Sequence, residues 1–204
     1  MIFADTDQGQ HVTATIGARG HCPGCAGEVI AKCGTIVAWH WAHVANNGAD
    51  CDSWSEAVGP WHLAWQALAP TPCREVTIRP HRADLRSPGG CVIELQASSL
   101  SVSDIAAREN FYGQQMLWIF DAREPYSNDR LTINPRDKYV TFRWRHPRKS
   151  IAACNRRVLL DLGGGWLLDV RKIHAEAPCG GWGRIIPAAA ISAWLQSWWE
   201  VAAS

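Results

Sequence analysis

Three strand-like runs dominate the middle of the chain: CREVTIR, RADL and CVIELQA, the last two separated by the turn signal SPGG. A helix is predicted next. Ser101 or Ser103 can cap it, Asp104 suits its first turn, Gly113 is a stop, and Arg108 and Tyr112 stand four apart on one face. The apolar run MLWIF then reads as a buried strand. Ahead of the three runs, Trp61, Trp65 and Leu68 recur at helical spacing in a stretch from Ser55 to Leu68, where Gly59-Pro60 offers the true helix start and Pro70 and Pro72 mark the end. The order helix, three strands, helix, strand predicts an α/β core on a mixed sheet.

The flanks have a different character. Up to about Asp52 the chain is rich in glycine, histidine and cysteine, with short extended runs broken by Gly34, which predicts a small β-rich lobe stapled by metal. Beyond Pro125, eight Lys and Arg between Arg136 and Arg157 face a single acid, interleaved with Tyr139, Phe142 and Trp144. VLLDLGGGWLLDV predicts a hairpin turning at Gly163 to Gly165, since no Lys-Ser/Thr follows the glycines as a phosphate loop requires. A last helix from Pro187 puts Ile191, Trp194, Leu195, Trp198 and Ala202 on one face. The predicted organisation is a zinc-binding lobe at 1–53, an α/β core at 54–124 and a basic, Trp-rich part at 125–204.

Charge narrows the partners. With 204 residues and a formal net charge of +1 there is no basic coat, so contact with nucleic acid depends on a local patch. Arg143, Arg145, Arg148 and Lys149 form the candidate patch, read as a phosphate-contacting strip for DNA rather than a solvated face. No apolar run approaches the roughly 18 residues of a membrane span, and acids stand near the start where a signal peptide has bases. A cytoplasmic protein with no membrane partner is expected; oligomeric state stays open. The Trp residues at 61, 65, 194 and 198 are expected to pack the core.

Two of the eight cysteines need chemistry. Cys22-Pro-Gly-Cys25 is a knuckle whose glycine lets both thiolates face one ion, and His40, His43 and Cys51 downstream offer a second pair. On a strand, residues three apart point to opposite faces, so Cys22, Cys25, His43 and Cys51 form the preferred set, with His40 as substitute. A thioredoxin-like βα context is absent, which favours structural Zn²⁺ over redox chemistry. Four protein ligands leave no open catalytic position.

A second constellation is acidic. Asp84 ends one predicted strand, Glu94 lies on the next, and Gln96 shares a face with Glu94. Two carboxylates facing one cleft can hold Mg²⁺ or Mn²⁺ and direct water at a phosphodiester, although by itself the pattern more often describes an exposed sheet face.

Taken together, Cys22-Pro-Gly-Cys25, HWAH at 40–43, Cys51-Asp52-Ser53-Trp54, WHLAWQ, Arg82-Ala83-Asp84, Glu94-x-Gln96-x-Ser98, Arg108-Glu109-x-Phe111-Tyr112 and MLWIF resemble, in order and spacing, the competence protein CoiA family. WRHPRKS and DLGGGWLLDV extend the resemblance over nearly the whole chain. The resemblance implies a zinc lobe followed by a restriction-endonuclease-like fold of the PD-(D/E)XK class, close to its RecB-like branch, in proteins of DNA processing. It makes His62 a metal ligand, Asp84 the central carboxylate, Glu94 and Gln96 an E-x-Q box, and Arg108 with Tyr112 the counterpart of a Q-x-x-x-Y helix. Glu56 and Glu75 match further acidic positions. The expected function is therefore a Mg²⁺- or Mn²⁺-dependent DNA nuclease, with two departures: Gln96 replaces the usual lysine, and Gln66 the family's helix lysine. Arg82 or Arg108 can supply positive charge but not a general base. The rivals are a catalytically weak DNA-binding protein that keeps the fold, and a zinc-stapled protein-interaction module.

Overall fold

The computed structural model describes residues 1–36, 38–44, 51–54, 58–146, 149–174 and 179–202. It is a mixed α/β chain with one five-stranded and one nine-stranded sheet, the latter mixed in direction. The chain divides into two compact units, Met1–Ala67 with Thr71–Arg86, and Leu68–Pro70 with Ser87–Ser204.

The first unit begins with five short strands, β1 (Phe3–Asp5), β2 (His11–Thr13), β3 (Arg19–His21), β4 (Glu28–Lys32) and β5 (His40–His43), ordered β2-β1-β3-β4-β5 and antiparallel throughout. Its buried core is thin: Ala4, Ala14, Cys22, Val29 and Trp41. A core this small needs a staple. Helix α1 (Pro60–Ala67) starts at Pro60, where a missing N–H costs nothing, and buries Trp61, His62, Trp65 and Gln66. The hairpin of β6 (Arg74–Ile78) and β7 (His81–Arg86) completes the unit. Two buried or nearly buried carboxylates tie this hairpin to the chain before α1. Glu75 accepts from the backbone N–H of Ile2 at 2.8 Å and of Phe3 at 3.3 Å. Asp52 accepts from His81 Nδ1 at 2.8 Å and from the Arg82 N–H at 2.9 Å. The boundary at Arg86 thus runs through the stretch 54–124 that the sequence groups together.

The second unit starts with β8 (Val92–Gln96), helix α2 (Val102–Tyr112) and β9 (Met116–Asp121). β8 and β9 are parallel, joined by α2 as a crossover. Ser101 caps α2 in a capping box with Asp104, and Gly113 ends it at φ 75°. Helix α3 (Arg123–Ser127), β10 (Leu131–Pro135), β11 (Val140–Trp144), β12 (Arg157–Gly163), β13 (Trp166–His174), β14 (Gly180–Pro187) and helix α4 (Ala188–Ala202) follow. The strands of this unit run β10-β11-β14-β13-β12-β9-β8. Trp118, Ile119 and Phe120 of β9 are fully enclosed, as are Leu159 and Leu160 of the neighbouring parallel strand β12. The β12–β13 hairpin turns on Gly163, Gly164 and Gly165, all at positive φ.

Two sequence expectations are corrected by burial. On α4, Ile191, Leu195 and Trp198 are buried but Trp194 is 37% exposed; at 3.6 residues per turn it lies at the margin of the apolar stripe, its ring edge-on to Trp198. On β11, Phe142 and Trp144 are core residues, whereas Arg143 is exposed, because successive strand side chains alternate between faces. Those two aromatics therefore do not share the solvent face with the arginines.

Candidate metal centre and acidic groups

The chain from β3 into β4 builds a tight knuckle. The Ala26 N–H donates to Cys22 O at 2.8 Å, the Cys22 N–H to Gly27 O at 2.9 Å, and Ala26 takes a left-handed φ of 59°. This turn aims both sulfurs the same way, and the Gly27 N–H donates to Cys25 Sγ at 3.4 Å. β5 contributes His43 and the following segment Cys51. The ligand atoms of Cys22, Cys25, His43 and Cys51 all lie within 4.8 Å of one another. His40, the substitute ligand, lies outside this group; its Nδ1 is 2.9 Å from Ala38 O, on the other side of the strand.

These four residues fit zinc. A tetrahedron of ~2.3 Å metal–sulfur bonds has edges of roughly 3.8 Å. Cys22 and Cys51 sulfurs are 3.7 Å apart, and Cys25 Sγ is 3.3 Å from His43 Nε2. The electrostatics agree. Burial pushes the Cys22 thiol up, but N–H groups of Cys25 and Gly24 and the thiols of Cys51 and Cys25 outweigh it, leaving Cys22 below the ordinary thiol range. Cys51 is pushed up to about 12, by burial and by the charge of Cys22. An ionised Cys22 thus opposes ionisation of Cys51, and a dication between the two sulfurs would relieve that opposition. Burial also lowers His43, which keeps its imidazole neutral as a ligand must be. With four protein ligands, this Cys3His group is suited to a structural ion.

The acidic residues fall in both units. In the first, His62 Nε2 of α1 and Asp84 Oδ1 of β7 are 3.1 Å apart, and Gln66 Nε2 donates to the Asp84 carbonyl at 3.4 Å. Glu75 is committed elsewhere. Its carboxylate holds the Ile2 and Phe3 backbone and lies 4.0 Å from Arg82, and so docks β1 on β6. Glu56 lies outside the described residues.

In the second unit, β8 is buried along its whole length, and Glu94 and Gln96 are only 2% and 1% exposed. Such burial is costly for polar groups unless they are partnered. Glu94 Oε2 accepts from Arg108 Nη1 at 2.7 Å, and Gln96 Nε2 donates to Ser98 Oγ at 2.9 Å. Tyr112, one turn beyond Arg108, meets Phe111 edge to face. Glu109, which the sequence places in a motif but gives no role, is a further buried carboxylate: it accepts from Trp118 Nε1 and from the N–H groups of Asn155 and Arg156. Besides that motif, its sequence signal is an acid on the apolar side of α2.

Of the basic strip, Arg143 and Arg145 are exposed, and Arg145 donates to Asp129 O at 3.0 Å. Lys149 opens a 3-10 turn, Lys149–Ala153. Arg148 and the side chain of Lys149 lie outside the described residues. Among the described residues, no helix is long and apolar enough to cross a membrane.

The chain matches no curated protein and no solved structure. One family model does match. Residues 14–53, the span that carries the knuckle, His43 and Cys51, correspond to the N-terminal domain of competence protein CoiA.

Proposed function

We propose that this chain is a zinc-stapled DNA-processing protein and a PD-(D/E)XK-type nuclease, hydrolysing phosphodiester bonds with Mg²⁺ or Mn²⁺. The observation that supports this most directly is the His62–Asp84 pair, a helix histidine meeting the central carboxylate that the resemblance assigns. The Glu94-x-Gln96 pair on the enclosed strand β8 adds to it, because it stands where the resemblance assigns an E-x-Q box. Under this reading the resemblance assigns His62 and Asp84 of the first unit and Glu94 of the second as the residues that would hold the cation, which would supply Lewis-acid charge at the scissile phosphate.

The chain's own residues do the rest. Gln96 orients water through its amide but brings no positive charge, unlike a lysine. Arg82 and Arg108 are the cations at hand, yet each already faces a carboxylate, Glu75 and Glu94 respectively. Slow turnover that favours Mn²⁺ over Mg²⁺ is therefore expected. The exposed Arg143 and Arg145, with Arg148 and Lys149, supply phosphate contacts along DNA.

The Glu94–Arg108 pair also supports a second reading. A guanidinium 2.7 Å from Glu94 occupies an oxygen that a metal would need, as in a protein that keeps DNA binding but has lost turnover. Incubating plasmid and single-stranded DNA with the protein in Mg²⁺ and in Mn²⁺ separates the two. Cleavage that disappears in Asp84→Ala and in Glu94→Ala supports the nuclease. Binding without cleavage by either metal assigns the chain to the second reading, and cleavage that survives both substitutions removes these residues from the mechanism.

A further inference from the structure

The three strands β11, β14 and β13 carry an unusual row of side chains on their open face. In antiparallel pairing, residues directly opposite one another point to the same side. Arg143 of β11 pairs with Gly180 of β14, and Gly180 pairs with His174 of β13. One step along, Thr141, Trp182 and Lys172 form the next row. The centre of the first row is thus bare, flanked by a guanidinium and an imidazole, with an indole beside it.

The bareness is built in. A Cβ on Gly180 would lie 2.4 Å from Phe142 O, and one on Gly181 would lie 1.9 Å from Lys172 O, so the close approach of the three strands admits no side chain at either position. A cavity of about 550 Å³ results, lined by Tyr139, Thr141, Arg143, His174, the two glycines and Trp182 over Phe142. Among the described residues the lining contains no acid. Trp182 is 39% exposed and Tyr139 43%, and their rings meet edge to face at 5.9 Å, making a corner with an open aromatic face.

We propose that this cavity is a subsite for one unpaired nucleotide of a single strand, its base stacked on Trp182 against Tyr139 and its phosphates held by Arg143, His174 and Lys172. The chemistry selects this occupant. An open aromatic face takes any base, cations around it take the backbone, and a sheet face is the platform on which single strands are commonly bound. A duplex cannot use it, since its bases are stacked on each other and unavailable to the indole. The inference rests on the DNA-processing reading for its context and deepens it by naming an unpaired strand as the bound form. It is independent of cleavage.

The test is fluorescence anisotropy of a labelled oligothymidylate and of a duplex of equal length, with the zinc-loaded full chain and neither Mg²⁺ nor Mn²⁺ present. The wild type should bind the single strand more tightly than the duplex. Trp182→Ala should weaken single-strand binding by about tenfold, Trp182→Phe should retain most of it, and neither should change duplex binding. Arg143→Gln should weaken single-strand binding and flatten its salt dependence, and His174→Gln should weaken it; the two carry the test alone if Trp182→Ala melts early. Equal affinity for the two forms of DNA, or single-strand binding that is unmoved by the aromatic and the polar substitutions, would overturn the proposal. Because no cleavage is read, failure of the nuclease reading leaves this outcome unaffected.

Discussion

Asp52 and His81 are joined by a 2.8 Å hydrogen bond that ties the residue after Cys51 to the strand bearing Asp84. The Asp52 carboxylate also accepts from the N–H groups of Trp54 and Arg82, and the Trp54 ring stacks on His81. One short segment thus serves two neighbours: Cys51 belongs to the metal group, and Asp52 fastens β7. Within the first unit, ordering at the metal group is therefore transmitted to the hairpin.

Asp52→Ala leaves the His81 ring and the Arg82 N–H without this acceptor and should cost about 2–3 kcal/mol. Asp52→Asn, which keeps one oxygen, should cost less. Thermal melts of the two variants against wild type provide the measurement, and unchanged midpoints for Asp52→Ala would show that the link is incidental.

The Cys3His group should hold one zinc ion per chain, measurable by elemental analysis of freshly purified protein. Chelation should unfold the N-terminal strands first, because among the described residues their buried cluster is small: Ala4, Ala14, Cys22, Val29 and Trp41. Zinc should also be released on acidification, since protons compete for the sulfurs and for His43. Cys22→Ser should reduce soluble yield far more than Cys154→Ser, whose thiol lies outside the group. Protein purified without zinc, and equally stable in chelator, would refute the assignment.

The capping box of α2 has a pH signature. Hydrogen bonds from the Ser101 hydroxyl and backbone N–H hold the Asp104 carboxyl below its ordinary range. A depressed carboxyl in the folded state stabilises the protein above the ordinary carboxylate pKa, and that contribution is lost as pH falls through the folded value. Ser101→Ala should cost about 1 kcal/mol at neutral pH, and the deficit should shrink in acid. Urea melts at several pH values read it directly; a deficit that is flat with pH would assign the loss to the helix cap alone.

Local pattern carried much of the architecture. Pro60 marked the start of α1, Ser101 and Gly113 bounded α2, and the apolar runs located β6 to β9 to within a residue or two, because caps, turns and hydrophobic runs act over neighbours in sequence. The knuckle spacing and the two-residue period of a strand likewise singled out Cys22, Cys25, His43 and Cys51, the four ligand atoms found together. What stayed hidden depends on distant segments. Glu75 meets the N-terminal backbone 72 and 73 positions away, Glu109 meets Asn155 across 46, and Asp52 meets His81 across 29. None of these partners leaves a periodic trace, so an acid suited to a metal shell and an acid that satisfies buried N–H groups look identical along the chain. The same holds for Trp182 and His174. Only the register of β11, β14 and β13 sets them around a glycine floor, because strand pairing, and not sequence spacing, decides which side chains share a face.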